Sequence, residues 1–373
     1  MRILFVINNF SYGGAEKLVF DLARSLCPRC EQVSVAALYR MNNETEARIQ
    51  KHLESEGVKT YILDKKAGTD KLSTVRKLCA IVKADNIQLI HAHCSVPMYL
   101  SKLAGLLAGV KVVCTVHSTR GYKPLLEKLT GWMVHAYVSI GQAAEDYMLH
   151  DLGMNPDKIT RIYNAVDTDK FQSGERSANF WAAWGLDDNI PVVISVGRVI
   201  PLKNQICLLR AVSQCRLKGH PMQCVILGSF EEASETYQTL QEYIQSNSLE
   251  KYVRFLGQQD DVHKFLQNSD CFVMTSHYEG LSVAYLEAVL CGIPVVTTDL
   301  SFVRELQQFG DSSVMIPQND AEALTDILLN QRYTPASRET IAIFREKFSM
   351  TQFSNAHLEL FNQLVGNKKR HCC

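Results

Sequence analysis

The chain has 373 residues, room for two domains of ordinary size. Hydrophobic residues make up 46% and charged residues 21%, as in a folded globular protein and unlike a disordered one. Lys plus Arg equal Asp plus Glu at 39 each, which argues against a dedicated DNA-binding protein with a net basic footprint.

The opening MRILFVINNFSYGG has one basic residue, a short apolar run and no small-residue cleavage site, so it reads as a first strand and not as a signal peptide. Further short apolar runs follow at 32–39, 59–63, 87–93, 111–117, 136–140 and 158–164. Between them lie amphipathic segments such as 14–26, with Leu18, Val19, Leu22 and Leu26 at helical spacing. The most apolar stretch, 99–116, is interrupted by Lys102 and Lys111, so no transmembrane helix is expected. The rhythm lapses over 165–190 and restarts with runs at 191–197, 223–228, 252–257, 270–275, 293–298 and 313–317. A final stretch, 351–365, has the apolar stripe of one amphipathic helix. Strand–helix alternation of this kind predicts an α/β fold of two Rossmann-like domains, each with a parallel sheet buried on both faces. Such domains facing across a cleft bind ligands outside the carboxyl ends of their strands.

Charge is unevenly spread. Residues 1–165 hold 21 Lys/Arg against 15 Asp/Glu, and the remainder holds 18 against 24. Of the twelve cysteines, Cys114, Cys224, Cys271 and Cys291 sit inside apolar runs, where a free thiol acts as a small hydrophobe. A chain of this size needs no disulfides, which points to a reducing, cytoplasmic setting. Cys27 and Cys30 form a lone C-x-x-C without the second pair a zinc site needs. Cys372 and Cys373, after a basic Lys368-Lys369-Arg370, match no defined lipidation motif and read as a frayed terminus.

The chemistry-bearing residues fall at predicted strand ends. Gly13 and Gly14 lie between the first strand and its helix, where backbone amides can approach an anion. The G-x-G-x-x-G fingerprint is absent and the second strand ends in Arg40, not an acid, which counts against NAD. His117 closes the fifth strand and could donate to a sugar or phosphate oxygen. His91 and His93 end the strand before it and could join a metal site with His117, but no acidic partner is evident to complete one. In the second half, Gly197-Arg198 and Lys203 bracket a short loop suited to a diphosphate. The segment 276–299 runs from a strand through Glu279 and Gly280 into a helix starting at Leu281-Ser282-Val283, whose amides can hold phosphate oxygens. Glu287 is the odd carboxylate in that apolar helix, and a ribose diol would give it donors.

Taken together, GGAE (13–16), VGRVIPLKN (196–204), FLG (255–257), the E-x(7)-E from Glu279 to Glu287 and the Asn164-Ala165-Val166-Asp167 stretch resemble the retaining family 4 glycosyltransferases of the GT-B fold. The resemblance implies a domain plan: 1–165 an acceptor-binding domain, 166–190 a linker, 191–347 a nucleotide-sugar domain, and 348–373 a helix returning to the first domain. It also implies roles. Arg198 and Lys203 neutralise the diphosphate, Glu287 holds the ribose, Glu279 faces the donor sugar, and backbone at Leu256-Gly257 meets the base. Gly280, Leu281, Ser282 and Val283 bind donor phosphates, Gly13 and Gly14 reach the diphosphate, and His117 lies near sugar and acceptor. No metal and no cofactor is expected; Asp167-x-Asp169 falls in the linker. Ala165 departs from the family's usual glycine, and Ser118 stands where some members have an acid.

The expected activity is retaining transfer from a nucleotide sugar, with a lean to UDP, onto a glycan in cell-surface polysaccharide or glycolipid synthesis. Alternatives are a nucleotide-sugar 2-epimerase, an oxidoreductase or a non-catalytic sugar-nucleotide-binding scaffold. Basic residues at Lys65, Lys66, Lys71, Arg76, Lys77 and Lys83, and at Arg120, Lys123 and Lys128 beside Leu125, Leu126 and Leu129, suggest peripheral contact with an anionic membrane and a lipid-linked acceptor. No nucleic-acid partner is expected.

Overall fold

A computed structural model describes residues 1–11, 13–66, 68–118 and 120–366. The basic Cys372-Cys373 tail lies outside them. The chain forms two compact units: Met1–Ala165 with the chain from Met350 onward, and Val166–Ser349.

The first unit carries seven strands: β1 (Arg2–Ile7), β2 (Gln32–Ala37), β3 (Lys59–Ile62), β4 (Leu89–His93), β5 (Lys111–Val116), β6 (Ala136–Ser139) and β7 (Ile159–Arg161). Its helices are α1 (Gly14–Leu26), α2 (Glu44–Ser55), α3 (Lys71–Ala84), α4 (Ser95–Ala108), α5 (Pro124–Thr130) and α6 (Gln142–Asp146). The all-parallel sheet has the order β3-β2-β1-β4-β5-β6-β7. The central strands are buried along their length, which is why they read as continuous apolar runs and not as alternation. Strand order reverses between β1 and β4, so ligand-binding geometry is expected outside those carboxyl ends.

The second unit repeats the plan with β8 (Val192–Val196), β9 (Gln223–Leu227), β10 (Val253–Gly257), β11 (Cys271–Met274), β12 (Val295–Thr298) and β13 (Val314–Ile316). Its sheet is parallel in the order β10-β9-β8-β11-β12-β13, with the reversal between β8 and β11. The helices are α7 (Gln205–Leu217), α8 (Glu235–Ser246), α9 (Val262–Asn268), α10 (Val283–Leu290), α11 (Ser301–Leu306), α12 (Ala321–Leu329) and α13 (Arg338–Lys347). The last helix, α14 (Met350–Gly366), belongs to the first unit, where it packs against α1 and buries Phe353, His357, Leu360 and Phe361.

Residues 166–190 are not the linker the sequence suggested; they are a strap bound to the second unit. Trp181 is buried and donates from Nε1 to the Asn268 carbonyl at 2.9 Å, and the Ser177 amide donates to Asn268 Oδ1 at 2.7 Å. Phe180, Trp181 and Trp184 pack on Phe265. Aromatic burial of this size outweighs the lack of regular structure. Asp167 uses its carboxylate locally, accepting from the Asp169 and Lys170 amides at 3.2 and 3.1 Å. No helix among the described residues is long and apolar enough to cross a membrane.

Candidate active site

In the second unit, the β-branched run VVISV forms β8 and delivers Gly197 and Arg198 at its carboxyl end. Pro201 opens a single 3-10 turn that ends at Lys203, and Asn204 takes a left-handed conformation before α7. Neighbouring β11 delivers Thr275, Ser276 and His277. The two loops therefore meet at the strand-order reversal, and side chains fasten them. Thr275 Oγ1 donates to the Asn204 carbonyl at 2.9 Å, the His277 amide donates to the Leu202 carbonyl at 2.9 Å, and Gln205 Nε2 donates to the Arg198 carbonyl at 3.0 Å.

Lys203 and Glu279 form an ion pair, and Ser276 Oγ donates to the same carboxylate oxygen at 2.7 Å. Arg198 is exposed on the neighbouring loop. Gly280, half-buried, leads to Leu281 and Ser282, both buried. Ser282 caps α10 by accepting the Tyr285 amide. The first-turn amides of Val283 and Ala284 are ones a helix leaves without intrahelical partners. Tyr285, fully buried, hydrogen-bonds Asp311 and holds the start of α10 against the body of the unit. One turn further on, Glu287 is buried among apolar neighbours.

Three strands of this unit end in glycine side by side. The Gly197 amide donates to the Leu227 carbonyl at 2.7 Å, and the Gly228 amide to the Gly257 carbonyl at 2.8 Å. A side chain on Gly228 would strike the Gly197 carbonyl, so the sheet edge closes only with glycine there. Gly257 has φ +66° beside a register shift between Phe255 and Gly257, a bulge that turns the end of β10 away from the ladder. The result is a backbone ledge of three glycines, Gly197, Gly228 and Gly257, with Leu256 at its far end and the Lys203 side chain beside Gly197.

In the first unit, Gly13 is the extended residue before α1 and Gly14 its first helical residue. A side chain on Gly13 would run into the Glu16 carboxylate, whereas one on Gly14 would meet nothing within 4 Å. The Glu16 side chain is flexible at that end, so packing among the described residues demands glycine at neither position. His117 follows β5 and is not alone. Its Nε2 lies 2.9 Å from His93 Nδ1, the rings stacked at 28°, and His91 and His357 of α14 continue the cluster. Burial pushes the His117 imidazole down to about 4, with the neighbouring His357 adding to the shift. Burial, with neighbouring imidazoles adding to it, holds His91 and His93 well below the usual histidine range. His91 is satisfied on one side by Thr115 Oγ1 at 2.7 Å. The described residues contain no group of three or more His, Cys, Asp or Glu able to hold a metal ion.

One expectation about charge is corrected. Lys65 is buried, donates to the Lys66 carbonyl at 2.8 Å and lies over the Tyr39 ring; Lys77 donates to the Leu63 carbonyl at 2.6 Å. Lys65 is thus taken up inside the unit, whereas Lys77 stays exposed with its ammonium engaged on a backbone carbonyl, so the 65–83 basic group loses one surface charge relative to its sequence. The sequence reading placed His91 and His93 near His117 but missed His357. His91 and His93 share β4 at alternate positions and His117 follows the neighbouring strand, but His357 comes from 240 residues beyond His117.

The glycosyltransferase family 4 model matches residues 12–170, and the model of the glycosyl transferases group 1 matches residues 178–331. The chain belongs to the family 4 glycosyltransferases. The chain is 25% identical over 278 residues to the UDP-Gal:α-D-GlcNAc-diphosphoundecaprenol α-1,3-galactosyltransferase of Escherichia coli, covering 69% of this chain and 70% of that protein. It is 22% identical over 265 residues to the N-acetyl-α-D-glucosaminyl L-malate synthase of Bacillus anthracis, covering 68% of each. Among solved structures, Anabaena Alr3699/HepE in complex with UDP and glucose is similar with a TM-score of 0.82 at 20% identity, covering 98% of this chain and 100% of that one. A glycosyltransferase from Rickettsia africae gives a TM-score of 0.85 at 18% identity, covering 98% and 99%. The fold is GT-B, and the protein is a glycosyltransferase.

Proposed function

We propose that this enzyme transfers a sugar from a UDP-sugar to a glycan acceptor, lipid-linked, with retention of anomeric configuration and without a metal or cofactor, in cell-surface polysaccharide or glycolipid synthesis. The observation that carries the reading is the convergence of the Arg198–Lys203 loop and the Glu279–Glu287 segment on one strand-order reversal, beside a backbone ledge that can take a flat base. The E. coli relative, named for UDP-Gal and a diphosphoundecaprenol-linked acceptor, and the HepE complex with UDP support the donor and acceptor classes.

Breaking a glycosyl–diphosphate bond places negative charge on the leaving oxygen and positive charge on the sugar. Arg198, Lys203 and the first-turn amides of α10 are fixed positive groups for the former, a kind of preorganised electrostatics that is often the largest catalytic effect. In this reading Glu287 accepts from the ribose hydroxyls. Leu256 and Gly257 offer backbone to the base, and Gly280, Leu281, Ser282 and Val283 line the phosphates. Gly13 and Gly14 are assigned to the diphosphate, and His117 to the sugar and acceptor. Same-face attack gives retention when the leaving diphosphate oxygen takes the proton of the acceptor hydroxyl as the new C–O bond forms. Glu279 suits a holding role better than a nucleophilic one, because Lys203 and Ser276 already engage its charge. A glycosidase-like covalent intermediate would need that carboxylate free.

The test is incubation with a panel of UDP- and GDP-sugars and polyprenyl-diphosphate acceptors, with NMR of the product. Transfer from one UDP-sugar with an α-linked product is expected. Transfer only from GDP-sugars removes the nucleotide assignment, an inverted linkage removes the mechanism, and epimerisation without acceptor supports the epimerase alternative.

A further inference from the structure

Among the described residues, ten large hydrophobic side chains are exposed, and seven of them fall within one stretch of the first unit. Val96, Leu103, Leu106 and Leu107 lie on α4; Leu125 and Leu129 lie on α5; Trp132 sits in the turn after it. Leu107, Leu125, Leu129 and Trp132 are 73, 72, 63 and 63% exposed, far beyond the incidental exposure of a solvated helix.

These elements are neighbours. Lys102 of α4 and Glu127 of α5 form a 2.6 Å ion pair, both side chains essentially inaccessible, and Lys102 also donates to Thr130 Oγ1 at 3.2 Å. Helix α4 also touches the turn that holds Trp132. The pair fastens the two helices from beneath and leaves their apolar sides outward.

The charge pattern says what covers them. Between Asp85 and Glu145 the sequence contains one acidic residue, Glu127, and the ion pair buries it. The exposed charges on the stretch are therefore all cationic: Arg120, Lys123 and Lys128. Leucines and an amphipathic tryptophan on a stretch whose own exposed charges are all cationic match the boundary of an anionic bilayer, where tryptophan sits at headgroup depth and each Lys or Arg adds ~1 kcal/mol.

We propose that the α4–α5 face, with Trp132, docks on anionic lipid. The proposal rests on the reading of a lipid-linked acceptor for its purpose, since docking would bring the enzyme to an acceptor confined to the membrane. It does not depend on donor or acceptor for its test.

The measurement is flotation of the full chain, without donor or acceptor, with vesicles of 7:3 phosphatidylcholine and phosphatidylglycerol at several salt concentrations, together with tryptophan emission. Binding at low salt, weakened by salt, with a blue shift that disappears in Trp132→Ala, is expected. Lys123→Gln with Lys128→Gln should weaken binding by roughly 30-fold, corresponding to ~1 kcal/mol for each lysine. Leu107→Glu with Leu129→Glu should abolish it. Absence of vesicle binding at low salt in the unaltered protein overturns the proposal, as does binding untouched by either double variant. A self-association in ultracentrifugation that the leucine variants break also overturns it, in favour of a second copy on this face. Vesicle binding by a protein that transfers no sugar to lipid-linked acceptors would uphold the surface and remove the acceptor reading instead.

Discussion

Lys203 Nζ is paired with Glu279 and shares that carboxylate with the Ser276 hydroxyl. The cation assigned to the diphosphate and the acid assigned to the sugar therefore neutralise each other before any donor arrives. An incoming diphosphate must compete for Lys203, and as it does so Glu279 is released to accept from a sugar hydroxyl. Glu279→Gln should thus leave UDP affinity unchanged or modestly raised while lowering turnover with the full UDP-sugar. Titration calorimetry with UDP, set beside steady-state kcat, checks this. UDP affinity falling in step with kcat would place Glu279 on the nucleotide instead.

His93 is expected to act as a positioning residue for His117. Its Nε2 is buried with no partner among the described residues, and an unpaired buried N–H costs more than an unpaired lone pair, so the proton belongs on Nδ1, donated to His117 Nε2. His117 then carries its own proton on Nδ1. His93→Phe, which fills the space but fixes no tautomer, should lower kcat by about tenfold or more, within the range of acid–base and orienting effects, and alter the pH dependence of kcat. His93→Asn, which can still donate, should recover part of the loss. Equal activity in all three proteins would leave His93 a core residue only.

The histidine cluster also predicts acid lability. His91, His93, His117 and His357 all have imidazoles depressed by burial in the folded protein, His117 and His357 to about 4. Below the ordinary histidine range near 6.5, the unfolded chain binds protons that the folded chain does not. The stability these groups contribute is complete above about pH 6.5 and is lost as pH falls from there toward about 4. Thermal melting should therefore drop steeply between pH 7.5 and 5, and His357→Gln should flatten that slope while lowering stability at pH 7.5. A melting temperature constant over that interval would contradict the neutral cluster.

Lys102 and Glu127 provide a stability test far from the chemistry. Both are buried, with Tyr99 and Tyr137 rings near the ammonium. Removing one partner leaves an uncompensated buried charge, so Lys102→Met should cost about 3–5 kcal/mol, while Lys102→Met with Glu127→Leu should recover most of it. Urea unfolding of the three proteins gives the coupling. A single variant as stable as the double would show that water reaches the site.

The sequence made the two sheets legible because parallel strands buried on both faces are continuous apolar runs, and all thirteen predicted runs contain a strand. Arg198, Lys203 and Glu279 were visible as polar residues following predicted strand ends, and Glu287 as the odd carboxylate in an apolar helix. Pairing between distant segments left no such mark. The His117–His93 contact joins separate strands, His357 arrives from the last helix, and Lys102 with Glu127 looks like ordinary helix-surface charge until the fold buries both. The 166–190 strap looked like a linker because it lacks periodicity; its aromatic anchors, Trp181 and Trp184, hold it without needing any.

The central claim is that the second unit grips a nucleotide diphosphate at the β8/β11 reversal. Calorimetric titration with UDP of the unaltered protein and of Arg198→Ala, Lys203→Ala and Glu287→Gln tests it most directly. The account predicts saturable UDP binding that weakens in all three variants, with transfer in the two cation variants falling a further ~10²–10³-fold as transition-state charge goes unmet. Unchanged UDP affinity and near-normal transfer in the folded Arg198→Ala and Lys203→Ala proteins would contradict it.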